Sequence, residues 1–154
     1  MNHEIKEWLS RFLGSSEISK LQQISVRVSA SREIDLCDLV AGWYQHLKKM
    51  ESDLPLSDSD RTVWGAYDLL AALSLRDFVA RGLGKLDPDC STAAAAAVRD
   101  VDEKFLSYTE QDDCQRIKKL DDSIGEGRGW WWKRIPVSGP IRREIDAISA
   151  RMAD

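Results

Sequence analysis

The sequence has few of the residues on which most nucleophilic and metal sites depend. It contains only two histidines, His3 and His46, and histidine is the usual general base of a nucleophilic site. Its three cysteines, Cys37, Cys90 and Cys114, stand far apart, so no pair has the short spacing of zinc ligands. We therefore predict a non-enzymatic protein without a metal or a cofactor.

Long apolar runs are also missing. The longest run of small or apolar residues extends only from Ala93 to Val98, whereas a membrane-spanning helix needs ~20 residues. The first residues, "MNHEIKEWLSRFLG", are amphipathic and include acids, which is typical of neither a secretory signal nor a transit peptide. An odd number of distant cysteines indicates reduced thiols. We expect a cytoplasmic protein that does not contact a membrane.

The composition is that of an ordered globular chain. Hydrophobic residues make up 43% and charged residues 31% of 154 residues, with four prolines, which favours one folded domain over residues 1–154. The net charge of -4 argues against nucleic acid as a partner. The segment "GEGRG" lacks the lysine of a phosphate-binding loop, so we interpret it as a connector.

Apolar residues recur at helical spacing along most of the chain. The first predicted helix runs from an Asn2 cap to Gly14, and another runs from Ile34 to the turn-rich "SDLPLSDSD". A further helix begins after Ser59 or Asp60, with Tyr67 in its apolar stripe, and the alanine-rich stretch through Tyr108 forms the next. A short helix is predicted around Ile117 and Leu120, and the last helix has Pro140 in its first turn. Residues 17–30 are ambiguous, because Ile18 and Leu21 suit a helix but Ile24, Val26 and Val28 alternate as in a strand; we predict a helix. The fold class is all-α, a bundle of about five to seven helices.

The most unusual segment is "RGWWWKRIPVSGPIRRE", which holds half of the six tryptophans. Glycines precede and prolines follow the triplet, so we predict an extended conformation that places Trp130 and Trp132 on one face and Trp131 on the other. In one interpretation the segment closes the bundle, with Arg134 stacked on a tryptophan or paired with an acid. In the other, at least one tryptophan and some arginines stay exposed as a recognition surface.

The same segment concentrates positive charge. Residues 127–143 include five cations and no acid, which leaves -9 on the rest of the chain. Arg142 and Arg143 fall in the first turn of the last predicted helix, where the helix dipole disfavours cations. Either an external anion compensates them or nearby acids do; the candidate acids are Asp112, Asp113, Asp121, Asp122 and Glu126.

A second polar group lies inside apolar patterns. Asp68 and Arg76 are two helical turns apart, and a partly buried Arg76 needs a carboxylate, which Asp68, Asp77 or Asp102 can supply. We interpret this group as a structural ion pair between helices, with a ligand site as the alternative. The residues predicted to form this structural polar network are Asp68, Arg76, Asp77, Asp102, Thr109 and Asp112.

The ordered stretches "WGAYDLLAALSLRDFV", "VDEKFLSYTEQDD" and "GWWWKRIPVSGPI" resemble a family of small uncharacterised bacterial proteins with a W-W-W-x-R-x-P-x-x-G-P segment. The resemblance covers about Ile34 to Ile141. It implies a helical fold in which the tryptophan segment and the two acidic helices belong together, and it implies no activity. The matching positions are Asp68, Arg76, Asp77, Asp102, Phe105, Thr109, Asp112, Trp130, Trp131, Trp132, Arg134, Pro136 and Gly139.

These observations lead to three functional hypotheses. The first is an immunity or antitoxin-like protein that binds and neutralises a toxin-like partner protein. The second is a helical protein that binds a small anion or a nucleotide through Arg134, Arg142 or Arg143 with tryptophan stacking. The third is an enzyme that uses Asp102, Glu103 or Asp112 as an acid or base. The predicted binding residues are Trp130, Trp131, Trp132, Arg134, Arg142 and Arg143.

Overall fold

The computed structural model describes residues 1–125 and 128–152, and it is predominantly helical. The described residues form seven α-helices, which confirms the predicted fold class and helix number. Their bounds are α1 His3–Ser10, α2 Ser15–Gln23, α3 Leu36–Asp53, α4 Ala66–Leu83, α5 Pro88–Ser107, α6 Arg116–Leu120 and α7 Gly139–Met152. As predicted, the Asn2 side chain caps α1 by accepting the amide of Ile5 at 2.9 Å.

Two short antiparallel strand pairs accompany the helices. Strands β1 (Ser25–Ser29) and β2 (Arg32–Asp35) form a hairpin, and β3 (Thr109–Gln111) pairs with β4 (Arg134–Pro136). The helix predicted through residue 30 is therefore wrong after Gln23. The alternation of Val26 and Val28 with polar residues was the correct signal, because Val26 is completely buried while its neighbours in β1 are exposed.

The chain forms two compact units, and α3, α4 and α5 each contribute residues to both. The first unit comprises Met1–Leu47 and Ser74–Lys104. Its fully buried side chains include Leu9, Leu21, Leu36 and Trp43. Gly82 in α4 lies so close to Leu36 and Val26 that a Cβ atom there would clash, and this close approach seats the hairpin against α4.

The second unit comprises Lys48–Leu73 and Phe105–Asp154. It contains β3, β4, α6 and α7, and its fully buried side chains include Leu69, Phe105, Ile117 and Ile145. Helix α7 begins at Gly139 with a positive φ of 92°, a conformation that glycine adopts readily. Pro140 follows in the first turn, as predicted. The prediction of a single domain over residues 1–154 stays a prediction.

The start of α4 differs from the predicted position. The helix begins at Ala66 rather than directly after Ser59 or Asp60. Asp60 instead closes a turn by accepting hydrogen bonds from the Thr62 amide and hydroxyl. Tyr67, in the first turn of this helix, is 61% exposed although its spacing predicted a core position.

Candidate functional site

The three consecutive tryptophans form a single turn of 3₁₀ helix, Trp130–Lys133, which we call the tryptophan turn. The predicted extended conformation is thus wrong for the triplet, although β4 directly after it is extended. The Trp132 amide donates to the Gly129 carbonyl at 3.1 Å, and the Trp131 ring lies against Gly129 where a Cβ atom would clash. A residue without a side chain at position 129 therefore leaves the space that the Trp131 ring occupies in this turn.

The three rings are not divided as predicted, with Trp130 and Trp132 on one face and Trp131 on the other. Trp131 and Trp132 are buried, whereas Trp130 is 39% exposed. The Trp130 ring meets Trp131 edge to face at a centroid distance of 5.6 Å and contacts Phe105 at 6.2 Å. Aromatic pairs prefer edge-to-face and offset arrangements of this kind. The triplet therefore contributes two buried residues and one partly exposed indole that packs against Trp131 and Phe105.

Arg134 caps the end of α5. Its Nε donates to Thr109 Oγ1 at 2.9 Å, and its Nη2 donates to the Thr109 carbonyl at 2.6 Å and to the Leu106 carbonyl at 3.5 Å. A cation is favourable at a helix C-terminus, where carbonyls lack intrahelical partners. The predicted stacking or acid pairing of Arg134 is wrong for the described residues. Arg128 instead lies over a ring of the triplet, with its Cζ 4.8 Å from the Trp132 centroid.

Arg142 and Arg143 both have intramolecular carboxylate partners. Arg142 donates to Glu110 at 2.8 Å and to Asp146 at 3.1 Å, and Arg143 donates to Asp58 at 2.6 Å. The hydrogen bond to Glu110 is the main cause that raises the pKa of Arg142 above its ordinary value. These contacts favour the intramolecular alternative over an external anion at the start of α7.

The partner acids, however, are not the ones expected from proximity in sequence. In the β3–β4 register Glu110 lies opposite Ile135, and the same strand pair ends at Pro136, whose carbonyl also accepts from Arg142. The pairing of β3 with β4 therefore brings Glu110 to Arg142, although the candidate acids are nearer in sequence. Of the five candidate acids, Glu126 lies outside the described residues.

Arg76 forms a buried ion pair with Asp102, one of its three predicted partners. Nε and Nη2 of Arg76 donate to the two Asp102 oxygens at 3.0 and 2.9 Å, and the side chains are only 8% and 12% exposed. The Trp43 indole donates to the same carboxylate at 3.0 Å. This bidentate geometry in the first unit matches the predicted structural ion pair.

The other members of the predicted polar network lie elsewhere. Asp68 accepts the amide of Gly65 at the start of α4, Thr109 bonds Arg134, and Asp112 accepts the Arg116 and Ile117 amides at the start of α6. Asp77 is half-buried in α4. The six residues therefore do not form one network, because helix capping uses Asp68 and Asp112 locally.

The structure also reveals an aromatic groove, which we define by the segment 58–67 and the facing side of α7. Its volume is about 1250 Å³, including the part open to solvent, and its apolar lining includes Val63, Trp64, Tyr67, Ala147 and Ile148. Two contacts fasten its walls: Arg143 to Asp58 at 2.6 Å, and the Ala66 amide to the Glu144 carboxylate at 3.0 Å. The sequence did not predict this groove. Helix α4, which contributes Tyr67 to the lining, is apolar around most of its circumference, so its sequence does not indicate which side is exposed.

The described part of the chain contains no group of three histidine, cysteine, aspartate or glutamate side chains arranged for a metal ion. His46 bonds the Gly42 carbonyl of its own helix at 2.7 Å, and His3 lies beside Glu7 on the exposed side of α1. Within residues 1–125 and 128–152 no helix combines the length and the apolar character needed to cross a bilayer.

Comparison of the chain with protein-family models, with curated proteins and with solved structures finds no match. The resemblance to small bacterial proteins with a tryptophan-rich segment therefore stays a prediction.

Proposed function

We propose that this protein is a cytoplasmic, non-enzymatic binding protein of the immunity or antitoxin type, which neutralises a partner protein by covering its surface. The observation that carries the proposal is Trp130, an indole that is 39% exposed although its two neighbours are buried. Tryptophan is among the residues that most often dominate the binding energy of protein interfaces. A tryptophan kept at the surface by a dedicated turn suits such a contact.

The geometry around Trp130 reduces the entropic penalty of binding. Its ring rests on Trp131 and Phe105, both of which are buried. A side chain that is already ordered loses little rotamer freedom on association, whereas ordering a free one costs about 0.5–1.5 kcal/mol. Trp130 therefore resembles the preformed anchors that make interfaces strong.

Charge indicates the kind of partner. Arg142 and Arg143, which supply part of the positive charge of the C-terminal segment, are neutralised by Glu110, Asp146 and Asp58. The chain as a whole keeps a net charge of -4. Complementary charge accelerates encounter between proteins, so we expect a partner with a basic surface, such as a toxin that acts on nucleic acid or another anionic target.

The aromatic groove is a second place at which a partner can contact the protein. Tyr67 is 61% exposed, and the walls of the groove are fastened by ion pairing and by the bond from Ala66 to Glu144. An amphipathic helix fits grooves of this type through apolar side chains on one face. The experiment therefore needs variants on both surfaces.

The test is a quantitative binding measurement with the products of neighbouring genes. We expect one of them to form a stable 1:1 complex, and we expect Trp130→Ala to weaken it by about thirtyfold, corresponding to the ~2 kcal/mol typical of a hot spot. Circular dichroism and thermal melting of the variant check that the fold persists.

Val137→Ala is the matched control, because Val137 is 49% exposed in the same C-terminal segment; we expect no more than a twofold change. Tyr67→Ala tests the groove. Loss of binding in Tyr67→Ala with unchanged binding in Trp130→Ala would contradict the role of Trp130. Failure of every neighbouring gene product to bind would contradict the immunity-type function itself.

A further inference from the structure

A separate pocket lies beside the tryptophan turn, between that turn and α6. Its volume is about 480 Å³, including the part open to solvent. Ile117 and Ile124, both buried, and the ring of Trp132 supply its apolar lining. We call this cavity the Trp132 pocket.

Three cations also line the Trp132 pocket, namely Lys118, Arg128 and Lys133. The guanidinium of Arg128 lies over the Trp132 ring at 4.8 Å, so stacking holds a positive charge beside the apolar lining. Lys118 and Lys133 form no ion pair with any residue that the structure describes. As far as the described residues are concerned, these two ammonium groups are therefore available to an anion.

The acidic side chain in the lining, Asp112, is already engaged. Its two oxygens accept the amides of Arg116 and Ile117 at 2.9 and 2.8 Å. Hydrogen bonds from these amides partly offset the negative charge. The lining consequently carries a net charge of +2, although the chain as a whole carries -4.

We propose that the Trp132 pocket binds a small organic anion, with an apolar or aromatic body against Trp132, Ile117 and Ile124 and a phosphate or carboxylate group between Lys118, Arg128 and Lys133. Oxyanions accept strong, charge-assisted hydrogen bonds from such cations. An inorganic anion would satisfy the cations but would leave the apolar lining uncovered. The proposal does not depend on partner-protein binding, and it uses none of Arg134, Arg142 and Arg143.

The experiment titrates the full chain with phenyl phosphate while recording the indole N–H signals by NMR. The Trp132 signal is identified by its disappearance in Trp132→Phe. We expect phenyl phosphate to shift this signal in a saturable manner. Benzyl alcohol, which has the ring without the charge, and inorganic phosphate, which has the charge without the ring, should each bind about tenfold more weakly or worse.

Charge-removing variants locate the site. Lys118→Gln combined with Lys133→Gln should weaken phenyl phosphate binding by about tenfold or more, because each lysine supplies a charge-assisted hydrogen bond. Lys119→Gln is the matched control, since Lys119 is adjacent in sequence, carries the same charge and bonds Ser149 instead; it should change the affinity less than about twofold.

Three outcomes would overturn the proposal. They are an unshifted Trp132 signal throughout the titration, an equal loss of affinity in Lys119→Gln and in the double variant, and binding of benzyl alcohol as tight as that of phenyl phosphate. None of these outcomes bears on Trp130 and the partner protein, so the two proposals fail independently.

Discussion

The buried ion pair of Arg76 and Asp102 provides the sharpest test of how the first unit is stabilised. Asp102→Asn keeps the size of the side chain and an oxygen that can accept from Trp43, but it removes the negative charge. Arg76 then keeps its positive charge at a site where its side chain is only 8% exposed. Removing one partner of a buried pair destabilises proteins by about 3–5 kcal/mol.

The hydrogen bonds of Asp102 indicate how large this loss should be. Three hydrogen bonds end on the Asp102 carboxylate, at 2.9 to 3.0 Å, and bonds that involve a charged group contribute about 1.5–3 kcal/mol each. Asparagine keeps one oxygen that can accept from Trp43 and from Arg76 Nε, but its NH2 group replaces the oxygen that accepts from Arg76 Nη2 and is itself a donor. We therefore expect a loss of about 4 kcal/mol in the free energy of unfolding.

Urea denaturation, followed by circular dichroism, measures this loss. The double variant Arg76→Met and Asp102→Asn removes both charges at once, so it should be more stable than Asp102→Asn alone. The reasoning would be refuted by a loss below about 1 kcal/mol in Asp102→Asn, or by a double variant whose destabilisation equals the sum of the two single ones. A change in the slope of the unfolding free energy against urea concentration would instead show that the compactness of the native or the unfolded state had changed.

Two further predictions concern the second unit and the cysteines. Gly139→Ala should lower the melting temperature by about 4–8 °C, which corresponds to a strain of ~2 kcal/mol. The strain arises because φ is 92° and the new Cβ would lie 3.2 Å from Leu54 Cα. Gly125→Ala is the control and should leave the melting temperature unchanged, because there is open space around Gly125. Cys114 is exposed and should react at once with a thiol reagent, whereas Cys37 is buried and its pKa is raised to about 11, mainly by burial. Cys37 should therefore stay unmodified at neutral pH until the protein unfolds, and rapid labelling of Cys37→Ser and wild type with equal stoichiometry would agree with this.

The helices were the part of the fold most readable from the sequence. In α5 the apolar residues recur every three or four positions, and Ala94, Val98, Val101 and Phe105 are indeed all buried. The pattern is readable because one face of this helix is apolar and the other is polar. In α4 nearly every face is apolar, so the phase of its buried side was not readable and Tyr67 was misplaced.

The candidate site was only partly predictable. Sequence pointed to the tryptophan segment and to a carboxylate for Arg76, but it offered three possible partners and the structure contains Asp102. It also pointed to acids near Arg142 and Arg143 but named the wrong ones. Partners of long charged side chains depend on which elements pair across large sequence separations, such as β3 with β4, and local pattern carries no information about that pairing.

By itself, the sequence determined the helical fold class, the turn position of Pro140, and the concentration of tryptophan and arginine after residue 127, because these follow from local periodicity, backbone restrictions and composition. Only the tertiary structure decided which tryptophan is exposed. Gly129 allows the triplet to turn, and burial of Trp131 and Trp132 in the second unit then leaves Trp130 at the surface. That outcome depends on the space available among elements distant in sequence, which is a property of packing rather than of any local segment.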